Sequence, residues 1–234
     1  MAESNLLLKQ KAGHAAVDFV ESGMVIGLGT GSTAVWAVRR LAELLRKGKL
    51  TDILAVATST ATDEEARKLE IPVTTLESCP HVDLTIDGAD EVDHDLNLIK
   101  GAGGALLREK IVAQASGRLI ITVDESKLSS RLGNKQSLPV EVIQFGWKTQ
   151  KQFLEDQGAE VRLRAGPDKK AFVTDQGNFI LDCLFGPIQD ATGLSGRLKA
   201  RSGIVEHGLF LRMATDLIVA GYKGVDYYSA PISY

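Results

Sequence analysis

Three short loops concentrate the residues of this chain that are able to do chemistry. The first, Gly27-Leu28-Gly29-Thr30-Gly31-Ser32-Thr33, follows an apolar run and precedes a helical pattern. It fails as a dinucleotide fingerprint. Ser32 stands where the third glycine of G-x-G-x-x-G belongs, and the next strand ends in Thr58-Ser59-Thr60 rather than an acid. It also fails as a Walker A loop, having no lysine before Ser or Thr. What remains is a backbone that a ligand can approach, the hydroxyls of Thr30, Ser32 and Thr33, and a helix N-terminus. The N–H groups and dipole of such an end favour a phosphate. A tight turn with capping hydroxyls accounts for the same residues equally well.

The second loop, Asp87-Gly88-Ala89-Asp90-Glu91-Val92-Asp93-His94-Asp95, holds five acids in nine residues at the end of an apolar strand, where open α/β sheets bind ligands. Ala89 at a ligand position and a misplaced glycine exclude a calcium loop. A magnesium site and an acidic surface turn stay open. Proton transfer by Asp87 and Asp90 is preferred, because a buried-type strand leads directly into them. In the third loop, Lys100-Gly101-Ala102-Gly103-Gly104, a lysine beside a donor-rich backbone suits an oxyanion. Arg108-Glu109-Lys110 follows. A buried Glu109 would have its pKa raised by desolvation and serve as a general base, whereas an isolated R-E-K tripeptide reads as a surface helix with a Glu–Lys pair. Asp124-Glu125-Ser126-Lys127 is a weaker signal of the same kind. Histidines 14, 81, 94 and 207 lack metal-ligand spacing, so no zinc site is expected.

The elements that must carry these loops alternate. A helix is expected from Ser4, as cap, to about Glu21, then strands at 24–28, 53–57, 82–86 and 119–123, with helices at 34–47, 63–69 and 105–116 between them. Continuous apolar strands separated by helices argue for a parallel sheet covered on both faces. Beyond Pro139 the order becomes strand 140–143, helix 148–157, strand 159–164, a hairpin of 171–174 and 179–182 around Asp175-Gln176-Gly177-Asn178, helix 190–200 and strand 204–206. That is close to a ferredoxin-like β-α-β-β-α-β unit with one extra strand. Leu217 to Tyr222 reads as a strand able to rejoin the first sheet. The expected architecture is α/β: a Rossmann-like, mostly parallel domain of residues 1–133 and 208–234, and a smaller ferredoxin-like α+β domain of residues 134–207.

Composition narrows the function classes. The 234 residues carry 27 Lys and Arg against 30 Asp and Glu, a net charge of −3, and 44% hydrophobic residues. No basic stripe suggests nucleic acid. No apolar run approaches a membrane span, and the first residues do not form a secretory signal. Two cysteines, Cys79 and Cys183, form no disulfide framework, which fits a reducing cytoplasmic home.

The three loops together, with Arg108-Glu109-Lys110, Asp124 to Lys127 and Leu138-Pro139-Val140-Glu141-Val142, closely resemble ribose-5-phosphate isomerase, type A. The likeness runs in register through nearly the whole chain, including Gly208-Leu209-Phe210. Ala102 departs from the pattern, since many members carry glycine there, and the tail from Tyr227 to Tyr234 matches nothing in it. The resemblance implies interconversion of D-ribose 5-phosphate and D-ribulose 5-phosphate without metal or cofactor, by a homo-oligomer (dimer or tetramer). Glu109 matches the family's proton-transferring base. Thr30, Gly31, Ser32, Thr33, Asp87, Gly88, Ala89, Asp90, Lys100, Gly101, Ala102, Gly103 and Lys127 match its substrate-binding segments. Asp87 is the candidate for ring opening, Asp90 for orienting substrate hydroxyls or Lys100, and Lys100 for the enediolate oxygen. Lys127 is expected at the phosphate, with Lys9 a weaker second whose position equally suits a solvated face. A sugar-phosphate sensor would need neither Glu109 nor Lys100. A glucosamine-phosphate deaminase-like enzyme would be expected to place a histidine in its ring-opening machinery, and a nucleotide-binding oxidoreductase lacks its ribose-binding acid.

Overall fold

The computed structural model describes residues 2–229, with side chains from Asn5 onward. In chain order its elements are α1 (Ala2–Val17), β1 (Val25–Leu28), α2 (Ala34–Arg46), β2 (Leu54–Ala57), α3 (Thr60–Lys68), β3 (Val82–Gly88), β4 (Glu91–Val92), β5 (Leu98–Ile99), α4 (Leu106–Gln114), β6 (Ser116–Asp124) and β7 (Leu138–Val142). There follow α5 (Trp147–Asp156), β8 (Glu160–Leu163), β9 (Phe179–Leu184), α6 (Ala191–Lys199), β10 (Ile204–His207), β11 (Leu209–Phe210), β12 (Asp216–Gly221) and β13 (Gly224–Ser229). They form two compact units, Met1–Ala89 with Arg108–Lys127 and Arg212–Tyr234, and Asp90–Leu107 with Leu128–Leu211. Residues 90–107, 128–133 and 208–211 therefore group with the smaller unit, outside the bounds expected from sequence.

In the larger unit six strands run in the order β13-β12-β6-β3-β1-β2, all parallel except the edge pair β12 and β13. Leu217 does rejoin this sheet, opposite Ile121 of β6. Its central strands are rich in apolar residues where helices cover them: Ile26, Leu84, Ile86, Ile120 and Ile218 pack with Ala12, Ala16, Val38 and Leu41 of the helices. The first helix already includes Ser4 in its backbone and stops at Val17, short of Glu21. The third helix begins at Thr60, three residues earlier than expected, because the Ser59 hydroxyl caps it by accepting the Thr62 N–H. Neither β13 nor its pairing was anticipated. Of the unmatched tail, residues 230–234, Tyr234 among them, lie outside the described residues.

The smaller unit holds an antiparallel sheet in the order β10-β7-β9-β8, with α5 and α6 in the sequence positions of a β-α-β-β-α-β unit. Its core joins Val140, Val142, Leu154, Val161, Leu181, Leu194 and Leu198. The expected extra strand at 171–174 makes only isolated bridges, Ala171 with Ala165 and Val173 with Phe179. A second sheet of two-residue strands, β11-β5-β4, lies in the same unit.

Candidate active site

In the larger unit the chemistry-bearing loops leave the carboxyl ends of neighbouring parallel strands. Leu28 sits in register with Ile86 of β3 and Ala57 of β2, so the glycine loop emerges between the ends of those strands. Asp87 is 1% exposed, and its Oδ1 accepts the Gly88 N–H at 2.7 Å and the Thr30 N–H at 3.1 Å. Gly29 makes this possible. A Cβ there would lie 2.2 Å from Asp87 Oδ1 and 2.5 Å from its Cα. Sequence reasoning gave the small size of the loop glycines to a ligand, but at position 29 the neighbouring aspartate needs it. At Gly31 a φ of +109° is the requirement, with open space around it. Gly29→Ala should therefore overpack the strand end and destabilise the protein by about 1–3 kcal/mol, read from denaturant melts. Unchanged stability would mean that Asp87 yields at no cost.

The other side of the loop is tied to α3. Thr30 Oγ1 lies 2.8 Å from Thr58 Oγ1, 2.8 Å from Ser59 Oγ and 3.1 Å from Thr62 Oγ1. Thr58 and Thr62 in turn donate to the carbonyls of Leu28 and Gly29. This buried hydroxyl cluster was missed in the sequence, although the run Thr58-Ser59-Thr60-Ala61-Thr62 after a buried strand carried its signal. Thr33, the N-cap of α2, makes no side-chain capping bond, so the capping-turn reading of its hydroxyl does not hold. Lys9 of α1 donates from Nζ to Ser32 Oγ at 2.9 Å. The helices approach closely enough for this because Gly13 leaves room: a Cβ there would lie 2.9 Å from both Trp36 Cβ and Ala37 N. The weaker candidate of the two lysines is thus the one in contact with the loop.

Glu109 and Lys110 are 4% and 2% exposed, which excludes the solvated Glu–Lys pair. At the end of β6, Asp124 is buried and its Oδ1 accepts from the Ser126 N–H at 3.0 Å and the Ser126 hydroxyl. Lys127 is half-buried and closes a one-turn 3-10 helix, Glu125–Lys127.

The smaller unit carries the remaining residues. Lys100 is 2% exposed, with its N–H on the Gly208 carbonyl at 2.9 Å and its Nζ 5.5 Å from the centre of the Phe210 ring. Asp90 Oδ2 accepts the Ala102 N–H at 2.8 Å. That contact differs from the expected role of orienting Lys100, and it engages within the chain one of the amides expected to serve the substrate. Ala102 is not among the residues of positive φ, unlike Gly101 and Gly104, so an alanine fits there. The rest of the acidic cluster is structural. Glu91 is fully buried and accepts the N–H groups of Gly133, Lys135 and Gln136. Asp93 closes a turn by accepting from Asp95 and Asn97. Among the described residues no three His, Cys, Asp or Glu side chains converge as a metal site, and no helix is long and apolar enough to cross a membrane.

Residues 54–224 match the model of the family described as ribose 5-phosphate isomerase A (phosphoriboisomerase A). A protein of Chloroflexus aurantiacus named ribose-5-phosphate isomerase A is 57% identical over 219 residues, spanning 94% of this chain and 92% of its own. Among solved structures, ribose 5-phosphate isomerase from Plasmodium falciparum superposes with a TM-score of 0.92 at 42% identity, covering 96% of this chain and 98% of its own. A D-ribose-5-phosphate isomerase in complex with phospho-erythronic acid gives 0.93 at 39% identity, over 95% and 98%.

Proposed function

The chain belongs to the ribose 5-phosphate isomerase A family, and from that premise we propose how its own residues interconvert D-ribose 5-phosphate and D-ribulose 5-phosphate, a step of the pentose phosphate pathway. Asp87 acts as the acid and base that opens the furanose ring. Glu109 takes the proton from C2 of the open aldose and returns it to C1, through an enediolate. Lys100 and the amides of its loop stabilise the enediolate oxygen as charge develops on it. Thr30, Gly31, Ser32 and Thr33, with Lys9 and Lys127, hold the phosphate. Gly88, Ala89 and Asp90 complete the substrate-binding segments. The observation that carries this reading is the burial of Glu109, since a carboxylate withdrawn from water on the first turn of a helix has no surface role to fill.

The test is turnover in heavy water with EDTA present. Proton transfer through an enediolate should place solvent deuterium at C1 of ribulose 5-phosphate, seen by NMR, and the rate should survive chelation because lysine and amides fill the role of a divalent ion. Deuterium-free ketose would mean that the transferred hydrogen never exchanges with solvent, and an active Glu109→Gln enzyme would then replace the enediolate with a hydride shift. Loss of activity restored by magnesium or manganese would return a metal to the acidic cluster.

Phosphate recognition is divided between backbone and ammonium groups, so it can be weakened without ending the chemistry. Lys127→Ala and Lys9→Ala should each raise KM by about tenfold to a hundredfold, with a smaller change in kcat. A collapse of kcat at constant KM in the Lys127 variant would move that residue into the proton-transfer machinery. The larger unit is proposed as the catalytic domain, the cytoplasm as its place of work and a homo-oligomer as its working form. The exposed edge strand β13, with Val225, Tyr227 and Tyr228, supports the last of these.

A further inference from the structure

Arg164 follows β8 in the smaller unit, and its guanidinium reaches back to the lysine–glycine loop. Nη1 donates to the Gly101 carbonyl at 2.7 Å and to the Ala102 carbonyl at 3.1 Å. The rest of the fork is held by Asp182 of β9, with Nε on Oδ2 at 2.9 Å and Nη2 on Oδ1. The Phe172 ring lies 5.9 Å from the guanidinium carbon. That ring also fills the space beside Gly104, where a Cβ would come within 2.5 Å of it. The arginine side chain is 14% exposed. Nothing about solvating a surface charge requires two loop carbonyls and a bidentate carboxylate around one guanidinium.

The consequence lies in the peptide planes. In a trans peptide the N–H points opposite the C=O. With the carbonyls of Gly101 and Ala102 both turned toward Arg164, the N–H groups of Ala102 and Gly103 are turned away from it. The first of these meets Asp90 Oδ2, so the clamped pair of donors faces the side where Asp90 lies. Successive amides aimed one way form a concavity for an anion, and such donors help catalysis only when they are fixed before the charge develops.

We propose that Arg164, held by Asp182, is a positioning residue of the isomerase: it fixes the loop after Lys100 so that the Gly103 amide, next to the one that Asp90 holds, meets the enediolate oxygen. The proposal rests on the assignment of that loop to the enediolate. Its signature is a loss in turnover rather than in substrate binding.

Steady-state kinetics on ribose 5-phosphate for Arg164→Ala, Arg164→Lys and Lys100→Met make the test, with the fold checked by circular dichroism. Arg164→Ala should lower kcat by about tenfold to a hundredfold, as a misplaced catalytic group does, and move KM less than threefold. Added methylguanidinium should restore at least fivefold of the lost rate, and ethylammonium much less. Arg164→Lys should fall between wild type and alanine, since an ammonium cannot hold two carbonyls and a carboxylate together. If Arg164→Ala does not fold, Asp182→Asn is read by the same split between kcat and KM. A folded Arg164→Ala protein with kcat within twofold of wild type, or a loss that methylguanidinium leaves untouched, overturns the proposal. Should Lys100→Met also keep its kcat, the enediolate assignment itself fails; a crippled Lys100→Met beside a normal Arg164→Ala rejects only the arginine's role.

Discussion

Glu109→Gln enzyme should fold, bind ribose 5-phosphate with a KM close to that of wild type, and turn it over about 10²- to 10⁴-fold more slowly. The size of the effect follows from the task. An amide keeps the shape of the carboxylate and most of its hydrogen-bonding capacity, but cannot accept the proton from C2. The side chain is 4% exposed, so water does not readily stand in for the missing base. The measurement pairs a direct assay of ketose formation with a thermal melt of the same preparation. A folded variant whose kcat stays within a few-fold of wild type would remove Glu109 from the role of base. The family match would stand, and Asp87 would be the next carboxylate to test.

The second large effect is expected at Lys100. Replacing it with Met keeps a long, flexible stem against Phe210 and deletes the ammonium group. Loss of one donor to a developing oxyanion lowers kcat by about 10² to 10³. The lysine is 2% exposed, so the fold of the variant is checked by a thermal melt alongside the kinetics. The diagnostic pattern is a folded protein with a crippled kcat and a KM changed only several-fold. If KM rises in step while kcat stays near wild type, Lys100 binds the substrate without stabilising the transition state.

Much of this arrangement is legible in the sequence because its signals are local. Four apolar strands alternating with helices fix the parallel sheet, and Gly29 after Leu28 and Asp87 after Ile86 mark where two of the loops leave it. Other features depend on partners distant in the chain. Arg164 sits in Glu160-Val161-Arg162-Leu163-Arg164, whose alternation identifies a half-buried strand and is silent on what the last side chain meets. The strands β4, β5 and β11 have two residues each, too few to show any period. Glu91 looks like one more acid of a catalytic cluster until its three backbone donors are known. Lys9 is ambiguous for a similar reason, since only the close packing allowed by Gly13 brings its helix to the loop. Gly29 is the subtlest case. Its type is evident from the motif, while its reason lies on the adjacent strand.

The order of strands in the larger sheet also bears on how the protein is made. β6 lies between β3, which is synthesised before it, and β12, which cannot form until residues 125–215 have been added. Throughout that interval β6 offers the ribosome-bound chain an open edge next to the buried-type residues Leu119 to Val123. Unpaired apolar edges of this kind recruit other strands. Every strand of the smaller unit, from β4 and β5 through β7 to β11, precedes β12 in the chain. A nascent polypeptide thus holds all the strands of its smaller unit while the sheet that bears Asp87 is still incomplete, and its exposure to mispairing is concentrated in that window.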